Sequence, residues 1–223
     1  MSVYLTKKTT LGQAVFNLFA YTMLGLMALT SLLPFIYLLS LSLSSNIAVQ
    51  AGKVGLLPVG FTLENYGYIA KEASYFRAFW VSVERVALGA SLNMLMAILV
   101  AYPLSKPSTR FTSRKYYAWF FAFTMFFSGG MIPTYLVVRY TGLTDTIWAL
   151  VIPGAVNVWN TIMLMRFFTE VPPELEEAAI VDGAGHASII FNVYLPLSLP
   201  ALATILLLVT VGHWNEWFSA VLY

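Results

Sequence analysis

The sequence of 223 residues contains no cysteine and only two histidines, His186 and His213. The absence of cysteine excludes disulfides, thiolate metal sites and thiol nucleophiles, and two histidines leave little for a metal cage. Charge is also scarce, because the chain carries only 12 basic and 10 acidic residues. A net charge of +2 is too small to indicate a nucleic-acid partner. We therefore predict no metal site and no nucleic-acid binding.

The main feature that is present is apolar composition. Apolar residues make up 59% of the chain and the mean hydropathy is +0.77. Charged residues make up only 10%, whereas they are about 25% of an ordinary soluble domain. Polar side chains could not cover a water-soluble globule of this composition, and disordered chains are polar and rich in charge. The composition therefore predicts a membrane protein.

Five apolar segments are long enough to cross a bilayer, for which a helix needs about 20 apolar residues. The first lies in an N-terminal segment, residues 1–43, and is too long for a signal peptide. The other four lie in a core of residues 81–223, at about 86–104, 116–137, 146–168 and 194–211. Residues 44–80 contain several glycines and aromatic residues and are predicted to form a structured outer loop. These segments predict an all-α polytopic membrane protein.

Basic residues determine the predicted orientation. The short loop between the second and third segments carries four of them: Lys106, Arg110, Arg114 and Lys115. The positive-inside rule places such a loop in the cytoplasm, and the N-terminus with Lys7 and Lys8 then lies there too. Starting the second span after Glu84 and Arg85 keeps both at the outer interface, since a charge at the bilayer centre costs about 2.5–3.5 kcal/mol.

A polar insert separates the fourth and fifth segments and is predicted to form a short cytoplasmic helix at about residues 172–186. Prolines at its start are compatible with a first helical turn, acidic residues follow them, and Gly183 and Gly185 favour its end. A helix this short needs packing against another surface. Its alanines allow close approach and its carboxylates offer ion-pair partners, so we predict a docking site for a soluble protein rather than a helix lying on lipid.

The insert resembles the EAA signature of permease subunits of binding-protein-dependent ABC importers. The matching residues are Glu177, Ala178, Ala179, Gly183, Leu195 and Pro196, with Val193 where the family has isoleucine. Residues 127–136 and 214–217 are similar to the carbohydrate-uptake branch, in particular its MalG/LplC-like subgroup. The resemblance implies the type I permease (MetI-like) fold, with the residues from Glu177 to Gly183, including Asp182, in a coupling helix that docks on an ATPase.

The resemblance also implies the partners of the chain. These are a second homologous permease subunit, two ATPase subunits, and an extracellular lipid-anchored or periplasmic solute-binding protein that delivers a sugar or oligosaccharide. The location implied is the prokaryotic plasma membrane. The chain contains no phosphate-binding loop of the form G-x-x-x-x-G-K-[ST]. We therefore expect no catalytic residue and no bound cofactor here, with ATP and magnesium on the partner ATPase.

One departure from the family concerns length. Permeases of this branch usually carry six core spans, whereas this sequence ends at Tyr223, before a sixth. A five-span fragment would expose a side meant for packing. We expect either that the sequence is truncated or that the last span is dispensable or supplied elsewhere.

Residues within the predicted spans are candidates for the substrate pathway. Helix breakers in the third span, Gly129, Gly130 and Pro133, are tolerated only where protein or a water-filled cavity covers the backbone. Polar and aromatic side chains that suit a sugar lie in the second and fourth spans: Asn93, Asn157, Trp159 and Asn160. Close helix packing and hydrogen bonds between helices explain the same residues, and both interpretations remain open.

Other function classes fit the sequence less well. A self-contained secondary transporter or channel for a small polar solute is expected to show inverted repeats or ionisable residues within its spans, and the predicted spans carry almost no charge. A membrane enzyme would need a nucleophile and base or a metal cluster, and none is recognisable. A passive scaffold would not need the acidic helix.

Overall fold

The computed structural model describes residues 11–223, which contain helices and no β-strand. The prediction of an all-α protein is thereby confirmed. The predicted placement of Lys7 and Lys8 lies outside the described residues. The chain divides into two compact units, of which the first ends at Phe76 and the second begins at Arg77.

The helices have the following bounds. The first unit contains α1 (Leu11–Ser42), α2 (Asn46–Gln50) and α3 (Glu64–Lys71). Helix α4 (Ala73–Ser105) begins one turn before the boundary and belongs mainly to the second unit. The second unit continues with α5 (Arg114–Phe126), α6 (Met131–Tyr140), α7 (Ile147–Val151), α8 (Val158–Thr169), α9 (Pro173–Val181), α10 (His186–Ile189), a π-helical turn (Ile190–Tyr194), α11 (Leu195–Leu197), α12 (Leu199–Asn215) and α13 (Phe218–Leu222).

Helix α1 is long and apolar on all sides. Its 32 residues rise about 1.5 Å each, which exceeds what a hydrocarbon core of about 30 Å requires. Ser40 is the only residue of α1 that is buried against other described residues. Pro34 does not end the helix, as is usual for membrane spans, where neighbouring groups satisfy the freed carbonyl.

The segment that follows α1 is held by polar contacts. The Ser44 hydroxyl accepts a hydrogen bond from the backbone N–H of Val59 at 3.0 Å. The Asn65 side-chain amide donates to the carbonyls of Ser42 and Ser44 at 3.0 and 3.2 Å. Residues 43–65 therefore fold back onto the end of α1 instead of forming an extended linker. Their location outside the membrane stays a prediction.

The described residues contain fewer uninterrupted spans than the five predicted segments. By length and composition three helical stretches could cross a membrane, namely α1, α4 and Leu199–Leu222, or four if α5 and α6 form one span bent by 115°. The bend follows a predicted helix break, since α5 ends at Phe126 and Gly130 has a φ of +82°. The segment predicted at 146–168 is also broken, into α7 and α8, because Pro153 and Gly154 disfavour helix there.

The helix that contains the second predicted span begins earlier than that span. Helix α4 begins at Ala73, so Glu84 and Arg85 lie inside it rather than before it. Arg85 is buried, with 6% of its surface exposed, and it is paired with Glu216. A counter-charge lowers the cost of burying the arginine. The placement of Glu84 and Arg85 at the outer interface stays a prediction, since a helix of 33 residues is longer than a span requires.

The core of the second unit lies among α4, α8 and α12. Helix α4 contributes small side chains at Ala90, Ala97 and Ala101, whose spacing places them on one face. Opposite them pack buried side chains from α8 and α12, which are Leu164, Phe168, Ala201, Ile205 and Val209. Small residues at such a seam let helix backbones approach closely.

Gly89 in α4 lies close to the side chain of His213 in α12. A Cβ at this position would lie 2.5 Å from ring atoms of His213. By contrast, a Cβ at Gly212, the residue before His213, would meet nothing within 4 Å. A side chain at position 89 therefore requires the His213 ring to shift, whereas one at position 212 requires no such shift.

We predict that Gly89→Ala lowers the thermal stability of the protein whereas Gly212→Ala does not. Alanine at 89 must displace the His213 ring, an overpacking cost of about 1–3 kcal/mol. Alanine at 212 gains helix propensity of about 1 kcal/mol without a clash. Melting temperatures in detergent, followed by tryptophan fluorescence, should fall for the first variant and be equal or higher for the second. Equal behaviour of the two variants would contradict the tight contact.

Candidate functional site

The predicted cytoplasmic helix forms, but it is shorter than expected. It is α9, with Pro173 in its first turn, and α10 begins separately at His186. Gly183 ends α9 with a φ of +81°. The N–H of Gly183 donates to the Ile180 carbonyl at 3.0 Å and that of Ala184 to the Ala179 carbonyl at 2.9 Å. These two bonds form a Schellman turn, for which glycine is the favoured residue.

Helix α9 has one buried face and one exposed face. Glu176 is buried, with 5% of its surface exposed, and Ala179 packs on the core. Leu175, Ile180 and Val181 are exposed, Val181 to 86%. Exposed residues of the predicted coupling set accompany them: Glu177, Ala178, Asp182 and Gly183. The helix therefore offers a mixed apolar and acidic surface while it is bound through its other side.

A buried cluster of ion pairs and hydrogen bonds fixes the inner face of α9. Lys106 Nζ lies 2.8 Å from Glu176 Oε1, and a guanidinium nitrogen of Arg110 lies 3.3 Å from Glu176 Oε2. The hydroxyl of Tyr194 donates to Glu176 Oε2 at 2.9 Å and accepts from Lys106 Nζ at 2.7 Å. The cluster joins the segment after α4 to α9 and to the π-helical turn.

Aromatic rings complete this cluster. Lys106 Nζ lies 4.0 Å from the ring centroids of both Tyr102 and Tyr194, a distance typical of cation–π contacts. The hydroxyl of Tyr102 is 3.2 Å from His186 Nδ1. The rings of Phe168 and Tyr194 pack edge-to-face, with their centroids 5.3 Å apart. The lysine is thus enclosed by rings and has the carboxylate as its counter-charge.

Burial and pairing act in opposite directions on the titration of these groups. Burial raises the pKa of the Glu176 carboxyl, but hydrogen bonds from Lys106 and Tyr194 and the charges of Lys106 and Arg110 outweigh burial, so this pKa is lowered. Burial lowers the pKa of Lys106, and its contact with Glu176 opposes that change. The carboxylate form of Glu176 is therefore favoured in the folded protein.

We predict that Glu176→Gln destabilises the protein by about 3–5 kcal/mol near neutral pH, because it leaves Lys106 buried without its counter-charge. The pKa of Glu176 is lower in the folded than in the unfolded state. Its contribution is therefore complete above pH about 4.3 and is lost as the pH falls through the lowered value. Thermal unfolding of wild type and variant should differ most at neutral pH and converge in acid.

The matched control is Glu177→Gln. The Glu177 carboxylate is 2.8 Å from Arg110, but its side chain is 60% exposed, and exposed pairs contribute about 0–1 kcal/mol. A loss of stability at 177 as large as that at 176, or a difference at 176 that is independent of pH, would contradict the buried pair.

Sequence reasoning selected Glu177 and missed Glu176, Lys106 and Arg110. Both glutamates follow the prolines in the same acidic run. The available signal was the position of Glu176 three residues before Ala179, which places the two on one side of a helix. Leu195 and Pro196, also predicted, lie in α11 directly after Tyr194, and Leu195 packs against the core.

A second candidate site is a cavity of about 650 Å³ in the second unit, whose lining mixes apolar and polar residues. It brings together the four predicted sugar-contact residues, Asn93, Asn157, Trp159 and Asn160. The helix breakers Gly129, Gly130 and Pro133 do not line it, although their neighbour Thr134 does. The volume lies in the range of about 300–1,000 Å³ usual for ligand sites.

The amides of this cavity are partly engaged within the protein. The Asn93 side chain donates to the carbonyls of Gly154 and Ala155 at 3.1 and 3.3 Å. Asn157 caps α8 by accepting from the N–H of Asn160 at 3.1 Å. Asn93 thus bonds to a segment distant in sequence and Asn157 to its own helix, and sugar contact by either residue stays a prediction. Trp159 differs, since its side chain is 63% exposed.

The cavity also contains a charged end that sequence reasoning did not identify. Arg85 donates from one nitrogen to the Glu216 carboxylate and from another to the Glu216 backbone carbonyl. His213 lines the cavity beside them. The two charged partners are 131 residues apart in the sequence, so no local pattern could have paired them.

Comparisons with known proteins agree with this architecture. The family of the binding-protein-dependent transport system inner membrane component matches residues 93–222. The polygalacturonan/rhamnogalacturonan transport system permease protein YtcP of Bacillus subtilis is 40% identical, over 94% of this chain and 72% of that protein. Protein LplC of the same organism is 36% identical, over 98% of this chain and 73% of that protein.

A solved structure is similar as well. It is the crystal structure of a bacterial ABC transporter involved in the import of the acidic polysaccharide alginate. The match has a TM-score of 0.88 at 35% identity and covers 97% of this chain and 77% of that one. Because the family match spans residues 93–222, more than half of the chain and including α9 and the buried cluster, and a relative that is 40% identical is covered over 72% of its length, the chain belongs to the inner membrane components of binding-protein-dependent transport systems.

Proposed function

We propose that this chain is a permease subunit of an ATP-driven importer that carries a sugar or oligosaccharide across the plasma membrane. The observation that carries the proposal is the division of α9 into a face bonded to the core and a face open to a partner. The saccharide is supported by the names of the relatives, which include a permease for polygalacturonan and rhamnogalacturonan. A bacterial lactose transport permease is also similar, at 25% identity.

The exposed face of α9 is the proposed docking surface for an ATPase subunit. Leu175, Ile180 and Val181 supply apolar contacts, and Glu177 and Asp182 supply carboxylates for basic residues on the partner. This chain would then bind neither ATP nor magnesium, which belong to the ATPase. The N-terminus and α9 would lie on the cytoplasmic side.

The buried cluster supplies a route for movement from α9 to the cavity. Displacement of α9 pulls on Lys106 through Glu176, and Lys106 directly follows the last residue of α4. Helix α4 carries Asn93 and Arg85, which line the cavity. Helix α4 is thus joined to α9 at its C-terminal end and contributes polar residues to the cavity nearer its N-terminal end. Such an arrangement suits a rigid-body switch between inward-facing and outward-facing states.

The remaining partners follow from the family. A second permease subunit would complete the translocation pathway, two ATPase subunits would drive it, and a lipid-anchored or periplasmic solute-binding protein would deliver the saccharide from outside.

We predict that Val181→Asp and Leu175→Asp release the ATPase without unfolding the permease. Each introduces a charge into an apolar contact surface that is exposed in this chain, so folding is unaffected and docking is lost. Co-purification from mild detergent should recover the other permease subunit with at most about a tenth of the wild-type ATPase. Leu57→Asp is the control, since Leu57 is 78% exposed but lies in the segment after α1. Full ATPase recovery with both α9 variants would contradict docking at this face.

We further predict that Gly183→Pro uncouples transport from ATP hydrolysis. Proline fixes φ near −65°, whereas Gly183 requires +81° and donates a backbone hydrogen bond. The end of α9 is then lost and reconstituted uptake should fall below about a tenth of the wild type. Gly185→Pro is the matched control, because Gly185 has a negative φ of −76°. Normal uptake in Gly183→Pro would exclude a role for this turn.

A further inference from the structure

The cavity described above has one feature that an uncharged sugar does not explain, which is its buried arginine. We infer that the cavity binds a carboxylate-bearing saccharide unit and that Arg85 determines this specificity by exchanging the Glu216 carboxylate for that of the substrate. The inference rests on the proposed function and adds to it a substrate class and the residue that selects it.

Arg85 retains unused capacity for hydrogen bonding. Only 6% of its surface is exposed. Its two terminal nitrogens bind Glu216, but its Nε is buried and has no hydrogen-bond partner among residues 11–223. A guanidinium presents five donors in a planar fork, and leaving a buried donor unpaired is costly. The site is therefore incomplete as it stands, and the missing group is a hydrogen-bond acceptor.

The two members of the pair are not equally dependent on each other. The Glu216 side chain is 35% exposed, against 7% for that of Arg85. Glu216 Oε1 also accepts from the backbone N–H of Ser219 at 2.9 Å. If the pair separates, Glu216 keeps this bond and gains water, whereas Arg85 remains buried and needs another anion. Glu216 is thus the partner that an incoming ligand can replace.

The chemistry of the replacement follows from the group that it displaces. A carboxylate carries one negative charge and two oxygens that fit the guanidinium fork. A sugar hydroxyl can accept a hydrogen bond but cannot neutralise the arginine. A phosphate fits the fork as well, but it carries a charge of about −1.5 to −2 at pH 7, which exceeds the single charge that Glu216 vacates. The carboxylate is therefore the best match.

The rest of the cavity suits a sugar ring. Trp159 presents an exposed aromatic face, and the buried amides of Asn93 and Asn160 lie in the same lining. A sugar acid combines an apolar ring face, hydroxyl groups and a carboxylate, so it can use all three kinds of lining together. Two similar proteins carry names that include polygalacturonan and the acidic polysaccharide alginate, which are polymers of sugar acids.

The test compares two probes with the same sugar backbone, tri-galacturonate and its fully methyl-esterified form, in which each carboxylate is replaced by an uncharged methyl ester. Binding to the purified permease–ATPase complex is measured by calorimetry, without the solute-binding protein, whose own preference would mask that of the permease. Wild type should bind the acid more tightly than the ester. Arg85→Gln should weaken acid binding about tenfold to a hundredfold, as expected for hydrogen bonds to a charged group, and change ester binding less than about threefold.

Two further variants separate specificity from structure. Glu216→Gln removes the competing charge but keeps an acceptor for Arg85, so it should strengthen acid binding. Arg139→Gln removes a positive charge from α6, at an exposed position that does not line the cavity, and should leave both affinities unchanged. Size-exclusion chromatography of each complex verifies that the variants assemble.

The outcomes distinguish this inference from the proposed function. Equal wild-type affinity for acid and ester, or an Arg85→Gln variant that keeps the preference for the acid, overturns the carboxylate site. ATP-dependent uptake of neutral saccharides in proteoliposomes would then still support the importer. A reconstituted complex that takes up no saccharide in the presence of ATP would instead refute the proposed function itself.

Discussion

The second unit depends on one constraint, which is that a charge enclosed by apolar helices needs a counter-charge within contact distance. The described residues satisfy it twice, with Lys106, which directly follows α4, paired with Glu176, and with Arg85, in the N-terminal half of α4, paired with Glu216. Both pairs join segments distant in sequence, so they fix how α4 is held against its neighbours. Breaking either leaves a buried charge alone, which is far more costly than never having placed it there.

The two pairs differ in a way that fits different tasks. Glu176 is enclosed by Lys106, Arg110 and Tyr194 and has no hydrated alternative. Glu216 is partly exposed and keeps a backbone partner at Ser219. The first pair is suited to a permanent joint that transmits movement, and the second to an exchangeable contact. In the proposed transport cycle a rigid joint therefore lies at the docking helix and a replaceable one at the cavity.

Local patterns in the sequence predicted a good part of this architecture. The prolines, glutamates and Gly183 specify the start and end of α9, and the break at Gly130 follows from glycine's access to positive φ. Segment hydropathy alone did not separate α7 from α8. It also could not place Arg85 inside α4, because the compensation for its charge comes from Glu216. Hydropathy counts every charged residue as unfavourable in an apolar environment. Whether an opposite charge compensates it depends on the tertiary fold.

The π-helical turn at Ile190–Tyr194 has a consequence for how the chain tolerates insertions and deletions. A π turn contains one residue more than an α-helical turn, and this surplus rotates everything after it by about 100°. Tyr194 ends the turn and reaches the Glu176 carboxylate from there. Removing a single residue from 190–193 would restore regular winding and point the phenol away from its acceptor. The rotational position of the helical segment after Tyr194 therefore depends on this π-helical turn of five residues.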